Sequence, residues 1–324
     1  MSIAEKLNNI SETNKKTKIP KIIHYFYEDV DIWQKNTSPC FRMCYASWKN
    51  FCPDYEIKLW NISMPEFKEM FSSSKFLREC YKKKLWALIA DYVRHYALYN
   101  YGGIYLDTDV QLIKCFDEFL DDSLFISIEG DIYKGSNIVE SAVMGGIKGH
   151  KVFKDMLDIY NSNEIFKIDY LINPVVMSEY LKKKIGFSRI EYNDSVENPY
   201  KFYESEKICF NLINYNLYVN QKIYENNEHG IKIYPSEYFC PNWVSFGEKA
   251  FSDKTVSIHW NQSSWWNYEL KLKKLEALRY KNPIKRFLYI NSDKIAKLFT
   301  FFIPDKNIRK NTRSKLKKYL EGKC

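Results

Sequence analysis

Apolar residues near the start of the chain fall into short runs separated by one helical stretch. Residues 21–26 form an apolar run after Pro20, which predicts the first buried strand of a sheet. Residues 55–60 alternate between polar and apolar positions, which is typical of a strand, and residues 40–51 between them suit a helix. This strand–helix–strand order predicts an α/β fold with a parallel sheet of the nucleotide-binding type.

A longer helix is predicted over residues 82–101, because apolar side chains recur at helical spacing along it. Gly102 and Gly103 follow directly and end the helix, as glycine commonly does at a helix C-terminus. Residues 104–110 then form an apolar run that ends in acidic residues. This pattern predicts a buried strand that carries charge at its end.

The hydrophobic pattern is weaker beyond residue 116. Helices are predicted near residues 150–161 and 174–184, and a late strand is predicted over residues 255–260. The composition turns basic near Asn267, which is therefore the expected boundary of the α/β domain.

Charge is distributed unevenly along the 324 residues. The whole chain has a net charge of +9, yet residues 269–324 hold 17 Lys and Arg against 5 Asp and Glu. We therefore predict a mobile tail over residues 1–18, one α/β domain over residues 19–266 and a basic helical segment over residues 267–324.

Cysteine spacing and the chain's first residues exclude several classes of protein. The eight cysteines are scattered, so the sequence predicts neither a zinc site nor a disulfide framework. Residues 1–18 lack the apolar core of a signal peptide, and no run of about 18 apolar residues occurs. We expect a cytoplasmic protein.

Asp107 and Asp109 form the sharpest chemical motif in the chain. On a strand, residues two apart point to the same face, so the two carboxylates would repel each other unless a positive group lay between them. Carboxylate oxygens suit Mg²⁺ or Mn²⁺, which could bridge the phosphates of a nucleotide diphosphate. A solvated loop is the alternative, but the preceding Gly-Gly pair and apolar run favour a metal site.

Four further residues are candidates for such a site. Asp91 and Arg94 lie three apart on the predicted helix, where they form either a plain ion pair or a pair that holds a donor sugar. His259 could supply a metal ligand if its strand ends beside the strand of Asp107, although a structural histidine is the commoner case. Tyr27 follows the first strand, either as a half-buried surface residue or as a ring on which a base stacks.

Taken in order, these motifs resemble glycosyltransferase family 32, the capsular polysaccharide synthesis type with a DXD sugar-binding region. The resemblance covers residues 19–266, and its central block is highly specific. The matching stretches are IPKIIHYFY (19–27), SWKNFCPDYEIKLWN (47–61), ADYVRHYALYNYGGIYLDTDV (90–110), IYPSEYFCP (233–241) and SIHWNQSSW (257–265).

The resemblance implies a GT-A fold, which is a Rossmann-like mixed sheet flanked by helices, and sugar transfer with retention at the anomeric carbon. It implies Mn²⁺ or Mg²⁺ as cofactor, with Asp109 as a ligand and Asp107 touching the metal or the donor. It places Asp91 and Arg94 on the donor sugar, so that these two residues join the two aspartates as the catalytic set.

The late motif of the family implies a lid over the metal and the diphosphate. It maps onto His259 as a metal ligand and onto Ser264 and Trp265 as donor contacts. Tyr27 stands where the family usually has Trp, and Ala90 replaces the usual Ser. These two departures leave the donor base and sugar open, and we expect a UDP-sugar before a GDP-sugar.

Three functions remain open from the sequence. The expected one is transfer to a saccharide acceptor, linked to a lipid, in capsule or lipopolysaccharide synthesis. A toxin-like enzyme that glycosylates a protein is the alternative. A nucleic-acid binder is disfavoured, because the basic residues cluster in the tail without an RNA-binding aromatic motif.

The basic segment over residues 269–324 also carries apolar side chains. It could dock on the anionic inner face of a membrane, or its apolar residues could pack on the catalytic domain. The apolar positions are Phe287, Leu288, Ile290, Ile295, Leu298, Phe299, Phe302 and Ile303.

Overall fold

A computed structural model of the protein describes eight stretches of the chain. They are residues 18–28, 37–128, 139–167, 171–186, 223–243, 247–262, 273–274 and 276–321. The predicted mobile tail, apart from Lys18, and the boundary predicted near Asn267 lie outside these stretches. The predicted division into three segments therefore stays a prediction.

The chain forms two compact units. The first contains Met1–Met64, Val93–Leu157 and Asn173–Gln262, and the second contains Pro65–Tyr92, Asp158–Ile172 and Ser263–Cys324.

The first unit is built on a seven-stranded mixed sheet in the order β2-β1-β3-β6-β5-β8-β7. Strand β1 pairs in parallel with β2 and β3, and β5 pairs in parallel with β8, whereas β6 and β7 run antiparallel to their neighbours. Strands β4 and β9 form a separate antiparallel pair. The strands are β1 Ile22–Phe26, β2 Glu56–Trp60, β3 Gly103–Leu106, β4 Val110–Leu112, β5 Leu124–Ile128, β6 Val139–Gly146, β7 Tyr224–Asn226, β8 Ile231–Tyr234 and β9 Ser257–His259.

Helices complete the two units. Their bounds are α1 Pro39–Phe51, α2 Glu66–Ser73, α3 Lys75–Lys82, α4 Trp86–Tyr101, α5 Lys151–Asn161, α6 Asn173–Ile185, α7 Ser236–Phe239, α8 Pro283–Thr300 and α9 Lys306–Leu320. Among the described residues no helix is both long enough and apolar enough to cross a bilayer.

Strand β1 shows why helices cover both faces of the sheet in the first unit. Its side chains alternate, so Tyr25 packs against Phe41 and Trp48 of α1 on one face. On the other face His24 accepts a hydrogen bond at Nδ1 from the indole of Trp60 (3.1 Å), which in turn packs on Tyr96 of α4. The predicted fold class, a Rossmann-like mixed sheet flanked by helices, is confirmed.

Two of the predicted elements differ in their bounds from the structure. The helix predicted over residues 82–101 corresponds to α4, which begins at Trp86, because Lys84 takes a positive φ of 52° and separates α4 from α3. The strand predicted over residues 104–110 is also divided, since β3 ends at Leu106 and β4 begins at Val110. The chain turns between them and enters a second sheet.

The connection from α4 to β3 requires its two glycines. Gly102 has φ of +68° and Gly103 has φ of +105°, a region that other residues rarely adopt. A Cβ on Gly103 would lie 2.6 Å from the carbonyl oxygen of Ile22, so the two strands could not pair at their present spacing. The Gly-Gly pair thus lets β3 run directly beside β1.

Candidate active site

The Asp107-Thr108-Asp109 segment is a tight turn that links the two sheets. The backbone N–H of Asp107 donates to the carbonyl of Ala142 on β6 (2.9 Å), and the N–H of Val110 closes the turn onto the Asp107 carbonyl (3.1 Å). The expectation that both aspartates lie on one strand was therefore wrong. The turn itself directs the two carboxylates, because the chain changes sheets there.

Strand β9 brings His259 to this turn. In the register of the β4–β9 pair, His259 stands opposite Val110, the residue directly after the turn. Its Nε2 lies 3.3 Å from Oδ1 of Asp109. The late strand, β9, therefore ends beside the Asp107-Thr108-Asp109 turn, as the sequence analysis required for His259 to be a metal ligand.

The chain that follows β9 also holds Asp109. Its second carboxylate oxygen accepts a hydrogen bond from the N–H of Gln262 (2.8 Å). Its carbonyl accepts a further bond from the N–H of Trp260 (3.0 Å). Only 16% of the Asp109 side chain is exposed, so these contacts leave the carboxylate with a narrow range of positions.

Glu140 on β6 is a site residue that the sequence analysis missed. Its Oε2 lies 3.7 Å from Nδ1 of His259, on the opposite side of the ring from Asp109. Its other oxygen accepts hydrogen bonds from the N–H groups of Ser141 (2.7 Å) and Ala142 (2.8 Å). A lone acidic residue in the otherwise apolar stretch from Val139 to Gly146 was the available indication.

Arg94 of α4 contacts the other aspartate of the turn. Its Nη2 donates to Oδ1 of Asp107 (3.2 Å), and its Nη1 donates to the carbonyl of Ser141. The guanidinium lies over the ring of Tyr105 at 4.8 Å and is almost fully buried. Arg94 therefore joins the helix, strand β6 and the acidic turn through one planar group.

Charge within this cluster sets the ionisation of its members. Burial raises the pKa of Asp107 above its usual value, because it outweighs the charge of Arg94. Burial also opposes ionisation of Asp109, but His259 and the N–H of Gln262 outweigh it, so the pKa of Asp109 is lowered. Burial likewise opposes the charged form of His259, yet Asp109 and Glu140 hold its pKa well above the usual value.

The donor set of Asp107, Asp109 and His259 fits a divalent cation. One potential ligand atom from each of the three residues lies within 4.8 Å of those of the other two. With a neutral imidazole, the three carboxylates of the cluster and Arg94 carry a formal charge of −2, which a divalent cation would neutralise. Carboxylate and imidazole ligands suit Mn²⁺, and carboxylate oxygens suit Mg²⁺.

A second group of potential ligands, formed by Glu140, Cys240 and His259, shares the same histidine. A thiol is a poor ligand for hard cations such as Mg²⁺ and Mn²⁺. We therefore assign Glu140 to the outer side of the imidazole, where a carboxylate orients a metal-binding histidine.

The other predicted site residues are Tyr27, Asp91, Ser264 and Trp265. Tyr27 follows β1, which is parallel to β3, so it lies at the same edge of the sheet as the acidic turn, with its ring 4.9 Å from that of Phe41. Asp91 is buried on α4 and belongs to the second compact unit. Ser264 and Trp265 lie outside the described residues.

The sequence region that carries this site matches a known family model. Residues 38–126 match the model described as the glycosyltransferase sugar-binding region containing a DXD motif. The match includes α4 and the Asp-Thr-Asp turn, which are the elements that build the site. The predicted DXD sugar-binding region is therefore present in the chain.

Curated relatives come from two yeasts. Inositol phosphoceramide mannosyltransferase 2 of Schizosaccharomyces pombe is 24% identical over 253 residues, covering 72% of this chain and 66% of its own length. Inositol phosphoceramide mannosyltransferase 3 of the same yeast is 30% identical over 154 residues, covering 46% and 39%. Mannosyl phosphorylinositol ceramide synthase of Saccharomyces cerevisiae is 28% identical over 183 residues, covering 52% and 42%.

The chain thus spans just under two thirds of the first relative and about two fifths of the other two. These relatives are mannosyltransferases and not capsular polysaccharide synthases, which corrects the pathway named in the sequence-based resemblance.

Among solved structures, the PaToxG glycosyltransferase is 17% identical with a TM-score of 0.42, covering 57% of this chain and 76% of that one.

Proposed function

We propose that this protein is a divalent-metal-dependent glycosyltransferase that moves a sugar from a nucleotide-sugar donor to a saccharide or lipid-linked acceptor, with retention. The observation that carries the proposal is the convergence of Asp107, Asp109 and His259 at the turn between β3 and β4. The match to the DXD sugar-binding region supports the reaction class. Retention is supported only by the family resemblance.

Each residue of the site has a proposed task. Asp109 and His259 would hold the cation, and Asp107 would contact the cation or the donor. A bound Mn²⁺ or Mg²⁺ would stabilise the negative charge that develops on the diphosphate leaving group. Arg94 would fix Asp107 through its guanidinium, and Glu140, whose Oε2 lies 3.7 Å from Nδ1, would orient the imidazole so that Nε2 faces the aspartates.

The donor contacts remain proposals from the resemblance. Asp91 would accept hydrogen bonds from the donor sugar, and Arg94 would donate hydrogen bonds to it. Tyr27 would stack on the base, and Ser264 and Trp265 would close over the diphosphate. The relatives' names make mannose a candidate for the transferred sugar. An acceptor on a phosphoinositol lipid is the matching candidate, whereas a capsule acceptor has no support from these relatives.

A donor hydrolysis screen tests the proposal. Many glycosyltransferases slowly pass the sugar to water, so the full-length protein is incubated with GDP-mannose, UDP-glucose, UDP-galactose and CMP-sugars, each with Mn²⁺, Mg²⁺ or chelator. We expect metal-dependent release of one nucleoside diphosphate. Hydrolysis at the same rate in chelator, or no turnover of any donor even with lipid acceptors present, would contradict the assignment.

Replacing Glu140 with glutamine is expected to weaken Mn²⁺ binding by about 10- to 100-fold, because the charged partner of the imidazole is lost. Glutamine keeps an oxygen that can accept from the N–H groups of Ser141 and Ala142, so the backbone of β6 should persist. Calorimetric titration with Mn²⁺ measures the change, and activity should recover at high Mn²⁺. An unchanged Mn²⁺ titration would show that Glu140 does not orient His259.

A further inference from the structure

The most exposed large apolar side chains among the described residues lie in the hairpin formed by α8 and α9. They are Ile284, Phe287, Leu298, Phe299, Phe301, Phe302, Ile308 and Tyr319, which are 60–84% exposed. Those elsewhere in the described chain are Met43, Phe51, Tyr81 and Ile223, at 36–43%. A concentration of this kind is typical of a surface that binds something.

Helix α8 exposes large apolar side chains near both of its ends, whereas a helix that only packs on its own protein would bury them. The four residues that it buries are Tyr289, Ser292, Ala296 and Thr300. In an ordinary surface helix the large apolar residues form the buried stripe and polar residues face water. In α8 the small residues Ser292, Ala296 and Thr300 are buried beside Tyr289, and Leu288, Ile290 and Ile295 are half-buried. Phe287, Leu298 and Phe299 are exposed.

Polar contacts hold the hairpin together from within. Ser292 donates to a carboxylate oxygen of Glu321 (2.7 Å), and Lys273 reaches both residues at 2.9 Å. The phenol of Tyr289 donates to Glu276 (2.5 Å). The hairpin is therefore stabilised without its outward apolar residues, which remain available for another partner.

The tip of the hairpin, residues 298–302, is the most apolar part of this surface. Phe301 and Phe302 pack edge to face, with ring centroids 5.4 Å apart, and Phe302 is 84% exposed. Arg309 donates to the carbonyls of Ile303 (2.6 Å) and Pro304 (2.9 Å), which fixes the chain directly after the tip. A rigid backbone reduces the entropy that the tip would lose on binding.

Basic residues flank the apolar tip on both helices. From Pro283 to Leu320 the sequence holds eleven Lys and Arg against two Asp, a net charge of +9. Helix α9 alone contributes seven basic residues and no acidic one. The charge is complementary to a surface of phosphate groups, and the aromatic tip is complementary to a layer of hydrocarbon beneath it.

We propose that the α8–α9 hairpin docks on an anionic lipid bilayer. Residues 298–302 would enter the boundary between headgroups and acyl chains, and the lysines and arginines of α9 would lie against lipid phosphates. A single-stranded nucleic acid would match the charge and could stack its bases on exposed rings. The equally exposed aliphatic side chains of Ile284, Leu298 and Ile308 offer no ring for stacking and match hydrocarbon instead. This inference goes beyond the proposed sugar transfer and does not depend on it.

Co-sedimentation with vesicles tests the proposal on the full-length protein. Wild type is mixed with vesicles of phosphatidylcholine alone or of phosphatidylcholine with phosphatidylglycerol, at about 0.05 M and about 0.5 M salt. We expect at least about tenfold stronger binding to the anionic vesicles at low salt, and most of that difference should vanish at high salt. Wild type that stays in the supernatant under all conditions would overturn the proposal.

Two sets of substitutions separate the apolar from the electrostatic contribution. Phe299→Ser, Phe301→Ser and Phe302→Ser combined should weaken binding to anionic vesicles by at least about tenfold. The matched control combines Met43→Ser with Tyr81→Ser, which removes exposed apolar side chains elsewhere and should bind as wild type does. Circular dichroism checks that both variants are folded.

The outcomes distinguish the possible partners of the tip. If the triple variant binds vesicles as well as wild type does, the role of the tip is overturned. This holds even if a second variant, with glutamate at the basic positions of α9, no longer binds. Lipid-free self-association that the triple variant loses would show a protein interface instead. Metal-dependent donor hydrolysis in solution should be equal in wild type and the triple variant, so the proposed function is tested separately.

Discussion

Replacing Asp109 with alanine is expected to lower sugar transfer and donor hydrolysis by about 10³-fold, because a ligand of the proposed cation is lost. Metal stabilisation of a leaving group is worth several kcal/mol, and about 1.4 kcal/mol corresponds to tenfold in rate. Asp109 also loses its contacts with His259 and Gln262 in this variant. The measurement is the initial rate of nucleoside diphosphate release at saturating Mn²⁺.

Two controls make the Asp109 result specific. Asp253→Ala removes an exposed carboxylate of the same unit and should leave the rate unchanged. Thermal unfolding should show that the Asp109 variant is folded, because its side chain lies in a polar cluster and not in the hydrophobic core. A folded Asp109→Ala protein that turns over donor at the wild-type rate would overturn the proposed metal site.

Arg94→Lys should lower turnover by about 10²-fold while changing the affinity for the bare nucleoside diphosphate far less. A lysine keeps the charge but cannot bond Asp107 and the Ser141 carbonyl through one planar fork. Asp107 would then lose its fixed position, and misplacement by about 1 Å can cost about 10²-fold in rate. Turnover assays and calorimetry with the nucleoside diphosphate separate the two effects.

Arg78→Lys is the matched control for the arginine variant, because Arg78 is exposed on α3 and bonds backbone carbonyls. It should leave turnover as in wild type. Equal losses of turnover and of nucleoside diphosphate affinity in Arg94→Lys would point to a general disturbance of the site. The positioning role that we assign to Arg94 would then be wrong.

Local periodicity was sufficient to predict part of the secondary structure, whereas strands β5 to β8 and helices α2, α3 and α7 were not predicted. Strand β1, helix α1 and strand β2 lie within one or two residues of their predicted bounds, and helices α5 and α6 were also predicted. Burial on one or both faces imposes a spacing on apolar residues, and that spacing is visible in a single chain. The start of α4 was predicted four residues too early, because the positive φ of Lys84 leaves no mark on the spacing of apolar residues.

The sequence singled out the acidic motif and His259 as candidates, and the structure brings them together, yet their arrangement was not deducible. Whether β9 pairs with β4 depends on tertiary pairing between segments about 150 residues apart, and nothing local in the sequence encodes it. The change of sheet at the Asp-Thr-Asp turn is also a tertiary event. Side-chain alternation describes a strand but does not reveal where the chain leaves one sheet for another.

The importance of Glu140 and of the exposed phenylalanines could be recognised only in the folded structure, because tertiary packing decides which side chains are neighbours and which are exposed. A glutamate in an apolar strand acquires its role only because His259 from another sheet lies beside it. The apolar residues of the basic segment fitted both packing on the protein and docking on a membrane. The sequence determined that aromatic and cationic side chains occur together. Tertiary packing decided that the phenylalanines face outward, because α8 buries Tyr289, Ser292, Ala296 and Thr300 instead.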